Sequence, residues 1–497
     1  MSYSVRRIIL LLVACVAFFP HNTALSPDIM ECRNLVTARE IAAGECTWLV
    51  PTMNAELRLE KPPLPTWIAA AVERIAPNSL AMQRIPPALA AMLWTLFLYL
   101  FVKRLTDEKT AFVSALAFLT CYQVVLMGRT ATWDVYCHAF MTAAIYYLYK
   151  LFHEPEPSRS PWRDALLAGL FLGLSFLSKG PVSFFALLLP CVIALWVVYP
   201  ARLKGKLLPA LCVLLIALVV GGWWYLYLVT LHPADLASVF HKETGAWVNR
   251  NVRPWWYYWR FWVESGVWAP FVLMGLAVPY WRKRMAQPKA YHFVWLFLVL
   301  QLVLLSCMPE KKFRYLLPMM FPMAMLAALV LMHFSHGAKW PRLLLRYTVG
   351  VCIVVELIVL PLIGRVMTGD QARTLALLSA DERVEDIPFR HPASEELRIE
   401  GVYNARRTIQ SVDLSRQDDL HQALPCVLLL HAQTADSVLA TLPADIRRER
   451  IGLYDDNHHA ASDMHYSPVM LHVAYLLRNS TAETPISPTQ RGISDNE

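Results

Sequence analysis

Apolar residues along the chain fall into long runs parted by short polar loops. The first run, residues 8–19, follows Ser4-Val5-Arg6-Arg7. Its basic flank resembles that of a signal peptide, but no small-x-small cleavage site follows, so it reads as an uncleaved first helix with its N-terminus in the cytoplasm. Further runs lie near 88–102, 110–127, 135–152, 166–177, 182–199, 207–231, 266–281, 293–308, 316–334 and 343–363. Together they predict about eleven membrane spans, several close to the lower length limit. Alternation places Lys103/Arg104/Lys109, Lys150/Arg159/Arg163, Arg202/Lys204/Lys206, Arg282/Lys283/Arg284 and Lys339/Arg342 on the same side as Arg6/Arg7. That repeated excess marks the cytoplasmic side. An odd number of spans then puts the C-terminus outside, which suits a bacterial inner membrane with a periplasmic C-terminal region.

The outer loops have another character: mixed charge, Trp, Tyr and Pro. The first is long, about residues 20–87. Within it Leu35, Ala38, Ile41 and Ala42 share one helical face, and Trp67, Ile68, Ala71, Val72 and Ile75 another. These stripes predict short amphipathic helices lying on the outer membrane face. Beyond residue 365 the pattern changes. Residues 426–431 and 450–454 read as strands, and 371–381 and 434–442 as helices, so a small α/β domain is expected. From Asn479 the chain is rich in Ser, Thr and Pro and reads as disordered. The expected organisation is a mainly α, polytopic domain over 1–365, a periplasmic α/β domain over 366–478, and a tail over 479–497. No repeat of 20–50 residues is visible.

Composition agrees with the pattern. Hydrophobic residues make up 56% of the 497 and charged residues 17%, against roughly 25% charged in soluble proteins. A disordered chain and an ordinary soluble enzyme are both excluded. The net charge of +8 hides an asymmetry: residues 1–365 carry 34 Lys/Arg and 18 Asp/Glu, residues 366–497 carry 12 and 20, with no Lys. The basic half is also the apolar half, so its charge reports topology, and a nucleic-acid partner is not expected. Of the ten Cys, most, such as Cys121, Cys191, Cys212 and Cys352, sit in apolar runs and read as core thiols; no CxxC pair exists. Spacing leaves open whether Cys32 and Cys46, in the polar first loop, are joined. His458, His459 and His465 read as a polar loop, and no metal or other cofactor is expected.

Charge beside or inside a span is costly and marks candidate function. Nearly all such charge lies on the outer side. The first loop holds Asp28, Glu31 and Arg33, then Glu60-Lys61-Pro62-Pro63, whose prolines stiffen the backbone after the ion pair. Asp134 closes Gly128-Arg129-Thr130-Ala131-Thr132-Trp133-Asp134 and also suits an ordinary helix start. Lys179 lies in Ser178-Lys179-Gly180-Pro181, where it either snorkels or binds an anion. Lys242-Glu243, Arg250 and Arg253 precede Pro254-Trp255-Trp256-Tyr257-Tyr258, aromatics that fit an interfacial belt better than a sugar platform. Glu310-Lys311-Lys312-Phe313-Arg314 puts cations on the outer face against the simple charge rule, which favours phosphate binding. Glu356, in the middle of the last span, has no evident partner. Carboxylates and cations at one membrane face, beside a bundle that can hold a lipid tail, match a lipid-phosphate substrate: cations stabilise the departing phosphate, and a carboxylate accepts a proton from or orients the attacking group.

At these residues the sequence resembles the polytopic lipid-phosphate-sugar-dependent glycosyltransferases: glycosyltransferase family 39, the aminoarabinose transferases and the protein O-mannosyltransferases of the C-type fold. The matching segments, in family order, are E-x-R-N…A-R-E-I…W-L-V-P-T-M-N…L-E-K-P-P-L-P-T-W from Glu31 to Trp67, G-R-T-A-T-W-D ending at Asp134, S-K-G-P at Ser178 to Pro181, and E-K-K-F-R-Y-L-L-P from Glu310 to Pro318. The resemblance implies inverting transfer of a sugar from a polyprenyl-phosphate carrier to a glycolipid, protein or glycan acceptor at the outer face. The family's Asp-Glu pair in the first loop reads Met30-Glu31 here, so the resemblance points to Glu31 as the catalytic carboxylate, with Asp28 as the alternative and Asp134 as the second acid. It likewise implies Lys61, with its neighbour Glu60, at the donor phosphate, helped by Lys179, Lys311, Lys312 and Arg314, with Arg250 and Arg253 as further candidates. Two other readings compete. A flippase or transporter of lipid-linked sugars would favour charge at the bilayer midplane and repeated, broken helices; a non-catalytic scaffold would present the outer domain alone.

Overall fold

The computed structural model describes residues 2–154, 160–281, 283–335, 339–367, 374–457, 463–464 and 466–480. Arg159, Arg282, His458, His459, His465 and the tail beyond Ser480 lie outside the described residues. The chain divides into two compact units, Met1–Val366 and Met367–Glu497.

The first unit is helical. Five of its described helices are long and apolar enough to cross a membrane: Leu80–Leu105, Leu207–Leu231, Pro288–Cys307, Phe313–Ser335 and Trp340–Gly364. A sixth results if Glu108–Leu119 and Tyr122–Gly128, bent by 66°, count as one span. Tyr3–Phe18 and Phe184–Val198 are apolar but shorter than a span. Trp133–Phe152 and Pro161–Lys179 are long enough but carry Asp134, Lys150, Arg163, Asp164 and Lys179 near their ends. The run expected over 266–281 is broken into the 3₁₀ segment Trp255–Trp268 and the helices Ala269–Gly275 and Val278–Trp281.

Close packing sets the position of Lys179. Its helix, Pro161–Lys179, crosses Leu207–Leu231 where Gly173 faces Gly221. A Cβ on Gly173 would lie 2.6 Å from Val220 Cβ, and one on Gly221 2.9 Å from Gly173 O, so neither helix could approach this closely with larger residues. The central core is built by large side chains such as Trp94, Phe101, Phe118, Phe293, Phe297 and Phe321, all nearly fully buried.

The first outer loop folds into two helices, Ile29–Ala43 and Leu64–Ile75, packed on each other through Ala38, Ile41, Ala69 and Ala70. The first differs from expectation. Leu35, Ala38 and Ile41 are buried, but so are Glu31, Asn34, Thr37 and Glu40 on its other faces, so it is enclosed and does not float on a surface. Each of these polar groups finds a specific partner, which makes enclosure possible. The second keeps part of its apolar stripe uncovered by protein, with Ile75 80% exposed. Cys32 is buried, Cys46 half-buried, and the two are not joined.

The second unit contains a five-stranded sheet in the spatial order 409–412, 389–392, 426–431, 471–479, 446–455. The first three strands are parallel and the last two antiparallel to their neighbours. The helices Ile399–Ala405 and Gln417–Ala423 make the crossovers between the parallel strands, as such connections require. Leu420, Cys426, Leu428, Leu430, Val473 and Leu477 form its main core.

Candidate functional site

Asp134 opens the helix Trp133–Phe152, and Lys179 closes Pro161–Lys179. Their side chains form a hydrogen-bonded ion pair, with 3% and 8% of each side chain exposed. The turn after Lys179 needs its glycine: Gly180 has φ +65°, and a Cβ there would meet Tyr225 Oη at 3.4 Å and Pro62 Cγ at 3.9 Å. The Ser-Lys-Gly-Pro turn therefore rests on the Glu-Lys-Pro-Pro segment, and two motifs far apart in sequence become neighbours.

The first loop presents Glu60 and Lys61 through a hairpin. Thr52–Met53 pairs with Glu56–Leu57, and Asn54 and Ala55 turn the chain at φ 57° and 64°. Glu40 holds this turn, accepting from Thr52 Oγ1 at 2.5 Å and from Asn54 N at 2.5 Å. Burial raises the Glu40 carboxyl above the usual carboxylate range, partly offset by these bonds. Trp67 and Trp224 fix the segment before the hairpin by donating to Trp48 O and Leu49 O. Arg58 then lies 6% exposed, its guanidinium 5.4 Å from the Trp133 ring, and it forms no ion pair among the described residues. Burial lowers its pKa to about 10, Glu60 opposes the shift and Arg33 adds to it. Arg58 Nη1 also lies 3.1 Å from Met53 Sδ, and a buried cation without a direct ion-pair partner is costly. Lys61 pairs with Glu243 at 3.3 Å. Burial lowers its pKa, Glu243 resists, and Lys179 and Arg58 reinforce the fall, so these three cations share one neighbourhood.

The Glu310–Arg314 segment is more differentiated than its sequence suggests. Glu310, 3% exposed, accepts from Lys312 at 2.7 Å, Arg250 at 3.2 Å and Tyr315 Oη at 3.1 Å. Burial pushes its carboxyl up, but these partners outweigh that and leave it below the ordinary range. The Tyr315 ring lies between Lys179 and Lys312, whose Nζ atoms are 5.8 and 5.9 Å from its centroid. Arg314 reaches Asp28 at 2.8 Å. Lys311 departs from the phosphate-binding expectation: it is 4% exposed and donates to the carbonyls of Arg253 (3.2 Å) and Met308. Those bonds, with the Val252–Glu310 bridge, make it a tie between two loops. Arg253 is exposed, and Arg250 is committed to Glu310.

Glu31 also has a different setting from that of a proton acceptor. It is fully buried, and Arg84 grips both its oxygens, Nε to Oε1 at 2.8 Å and Nη2 to Oε2 at 2.6 Å. Oε1 also accepts from Ala131 N at 2.8 Å. Asn34, one turn on, donates to Ala131 O at 2.8 Å and accepts from Thr66 Oγ1 at 2.7 Å. The Ala131 peptide, three residues before Asp134, is thus clamped on both sides. Asp28 caps the same helix, its Oδ1 accepting from Met30 N and Glu31 N, while its Oδ2 pairs with Arg314; its side chain is 43% exposed. Glu356 acquires the partner that the sequence does not reveal: Arg129, at 2.5 Å, which also donates to Ala17 O and Pro20 O.

The site therefore gathers Asp28, Arg58, Glu60, Lys61, Asp134, Lys179, Lys312, Arg314 and Tyr315. Arg58 and Tyr315 are absent from the sequence-based expectation. Arg58 stands two residues before Glu60-Lys61, in the gap between two quoted segments, and Tyr315 directly after Arg314, inside a quoted motif, but neither carried a charge anomaly that singles it out. No group of three or more His, Cys, Asp and Glu suited to a metal ion occurs among the described residues.

Comparison with solved structures gives the same architecture. ArnT from Cupriavidus metallidurans bound to undecaprenyl phosphate superimposes with a TM-score of 0.71 at 16% identity, covering 95% of this chain and 97% of that one. The chain has the ArnT fold. The oligosaccharyltransferase of Archaeoglobus fulgidus is more distant, with a TM-score of 0.56 at 10% identity over 86% of this chain and 69% of that one. The family model described as dolichyl-phosphate-mannose-protein mannosyltransferase matches residues 60–225, a stretch that contains Glu60-Lys61, Asp134 and Lys179. The undecaprenyl phosphate-alpha-4-amino-4-deoxy-L-arabinose arabinosyl transferase of Shewanella sediminis is 26% identical over 63% of this chain and 57% of its own length. Enzyme 1 of that name from Pseudomonas fluorescens is 27% identical over 56% and 51%. The matches span just over half the length of these curated relatives. The resemblance read from the motifs, to aminoarabinose-transferase-like and protein-mannosyltransferase-like membrane proteins, is the one these comparisons return.

Proposed function

We propose that this ArnT-fold protein is a membrane glycosyltransferase that moves a sugar from a polyprenyl-phosphate carrier to an acceptor at the outer face of the bacterial inner membrane. The observation that carries this reading is the convergence of the buried Asp134–Lys179 pair, the unpaired buried Arg58, and Lys61, delivered by three separate motif segments. A transporter has no need of such a cluster of cations with a carboxylate beside it, and a scaffold has no need of a buried guanidinium without a direct ion-pair partner. The curated relatives' printed names and the undecaprenyl phosphate bound by the Cupriavidus ArnT support the donor class.

In this reading Arg58, Lys61 and Lys179 receive the donor phosphate, with Lys312 and Arg314 at its edge. The bond between the sugar's anomeric carbon and the phosphate oxygen breaks as the acceptor oxygen bonds from the opposite face, and the polyprenyl phosphate leaves with the electron pair. Cations already aimed at that oxygen stabilise the charge that develops on it. Asp134 orients Lys179 through their buried ion pair. Glu31, with both oxygens taken, positions the 129–134 loop. Asp28 is 43% exposed, and its Oδ2, released from Arg314 as that side chain turns to the donor phosphate, takes the proton when the acceptor is a hydroxyl; a phosphate acceptor is already ionised and needs no such base. No cofactor is required. The arrangement is completed by about eleven spans, a cytoplasmic N-terminus and a periplasmic α/β domain from about residue 366.

The test is binding of undecaprenyl phosphate to the purified protein in nanodiscs, paired with sugar transfer in membranes. Lys179→Ala and Arg58→Gln are expected to weaken binding at least about ten-fold, as loss of charge-assisted phosphate contacts does. Wild-type binding by both variants would reject the site.

A further inference from the structure

Glu60-Lys61 on the first outer loop meets Lys242-Glu243 on the helix Pro233–Asn249 with the charges in reverse order. Lys61 Nζ lies 3.3 Å from Glu243 Oε2, and Lys242 Nζ lies 3.8 Å from Glu60 Oε1. The two pairs are unequal. Lys61 and Glu243 are 24% and 22% exposed, whereas Lys242 is 76% exposed and its contact is the longer one. An exposed, long pair contributes little, so the Lys61–Glu243 contact dominates.

Lys61 faces other cations, Lys179 and Arg58, and Glu243 is its carboxylate partner among the described residues. Glu243 thus stands where an anionic ligand of Lys61 would have to stand. Its oxygen does for the ammonium what a phosphate oxygen would, and both cannot hold the same donor in the same direction. The charge of the departing lipid phosphate sharpens the effect. A phosphodiester donor carries one negative charge, while a phosphate monoester carries close to two at neutral pH, so a fixed carboxylate repels product more than substrate.

We propose that Glu243 is a built-in competitor for Lys61, which occupies the donor-phosphate position in the unliganded protein and returns to it to expel the lipid-phosphate product. This rests on the assignment of Lys61 as a phosphate ligand. Lys242 is a minor second pin. The Glu243 side chain swings away as phosphate arrives and back as it leaves; no covalent step is involved.

The experiment measures binding of undecaprenyl phosphate, with uncharged undecaprenol as control, to full-length protein in nanodiscs. Glu243→Gln removes the competing charge at nearly constant shape, and Glu243→Ala removes the side chain. Both are expected to bind undecaprenyl phosphate about three- to ten-fold more tightly, the range set by a half-buried ion pair that no longer has to be broken, with undecaprenol binding unchanged. Lys242→Gln is expected to change binding less than about two-fold. Lys61→Ala tests the underlying assignment separately and is expected to weaken binding. If Lys61→Ala weakens binding while both Glu243 variants bind no more tightly than wild type, the competitor role is overturned and the phosphate assignment stands. If Lys61→Ala binds as wild type, both fall. Equal tightening for undecaprenol would also overturn the proposal, because a charge competitor cannot act on an uncharged lipid.

Discussion

The Glu31 variants separate a positioning role from a proton-transfer role. Glu31 is fully buried and Arg84 2% exposed, and the pair is closed by two hydrogen bonds at 2.8 and 2.6 Å, with Ala131 N donating at 2.8 Å. Glu31→Ala takes the carboxylate from a buried guanidinium that also donates to the carbonyls of Asn22 and Leu25. Stranding one member of a buried ion pair costs about 3–5 kcal/mol. The abandoned Ala131 N–H adds about 1–3 kcal/mol. Allowing for overlap, the expected loss is about 4–6 kcal/mol, or roughly 5–8 °C in apparent melting temperature for a unit of this size. Glu31→Gln keeps an acceptor oxygen and is expected to cost about half as much. Replacing the pair together, Glu31→Leu with Arg84→Met, is expected to recover most of the stability, because the stranded charge is gone. Fluorescence-detected thermal unfolding of the detergent-solubilised protein measures all three, and transfer is followed in parallel. In the positioning account, activity tracks stability across the series. Glu31→Gln melting within about 1 °C of wild type while transfer disappears would refute it and return the base role to Glu31.

Further outcomes follow from the same geometry. Asp28→Asn preserves the helix cap, since Asn caps as well as Asp, and is expected to lower transfer to a hydroxyl acceptor about 100-fold or more while sparing a phosphate acceptor; equal loss for both would remove the base assignment, as read by kcat on the two acceptor types. Glu356→Ala is expected to cost less than Glu31→Ala, because the Arg129 and Glu356 side chains are 7% and 8% exposed against 2% and 0% for Arg84 and Glu31 and Glu31 also accepts from Ala131 N; comparison of the two melting shifts checks this ordering. In the second unit, burial raises Asp456 to about 7 and lowers His472 to about 4, with His472 Nδ1 3.9 Å from Asp456 Oδ2. The raised Asp456 contributes stability below the ordinary carboxylate pKa that is lost as pH rises through about 7, and the lowered His472 contributes stability above about 6.5 that is lost as pH falls through about 4. The two slopes cancel between pH 4 and 6.5. Asp456→Asn is therefore expected to expose the histidine slope alone, with stability falling by on the order of 3 kcal/mol on acidification over that window. Hydrogen exchange of residues 471–479, corrected for intrinsic rates, checks it, and a flat profile in the variant would contradict the account.

Much of the membrane unit was legible because a span announces itself by length alone. The ends of Leu207–Leu231 emerge at the very residues where the apolar run begins and ends. Asp134 and Lys179 were visible for a related reason: charge against a span has few innocent explanations. The roles within the site were less legible. Nothing local distinguishes Lys311, which ties two loops through carbonyls, from Lys312, which faces Tyr315, because the difference is one of side-chain direction set by the Val252–Glu310 bridge. Glu31 looked like the family's acid, and its partner Arg84 lies 53 residues away. Arg58 was hidden because what marks it is burial without a direct ion pair among the described residues, which only the folded hairpin shows. In the second unit the strands Phe389–Pro392 and Ile409–Val412 are four residues each and carry Arg, His, Gln and Ser, too short and polar for alternation to register.

The central claim is that Asp134, Lys179 and their neighbours move a lipid-linked sugar to an acceptor. Its most direct test is mass spectrometry of lipid A and glycoprotein glycans from a deletion strain complemented with wild-type protein or with Asp134→Asn. A sugar-mass addition that is lost on deletion, restored by the wild type and not by Asp134→Asn at equal membrane abundance is the predicted result. Identical lipid A and glycoprotein profiles in all the strains would contradict it.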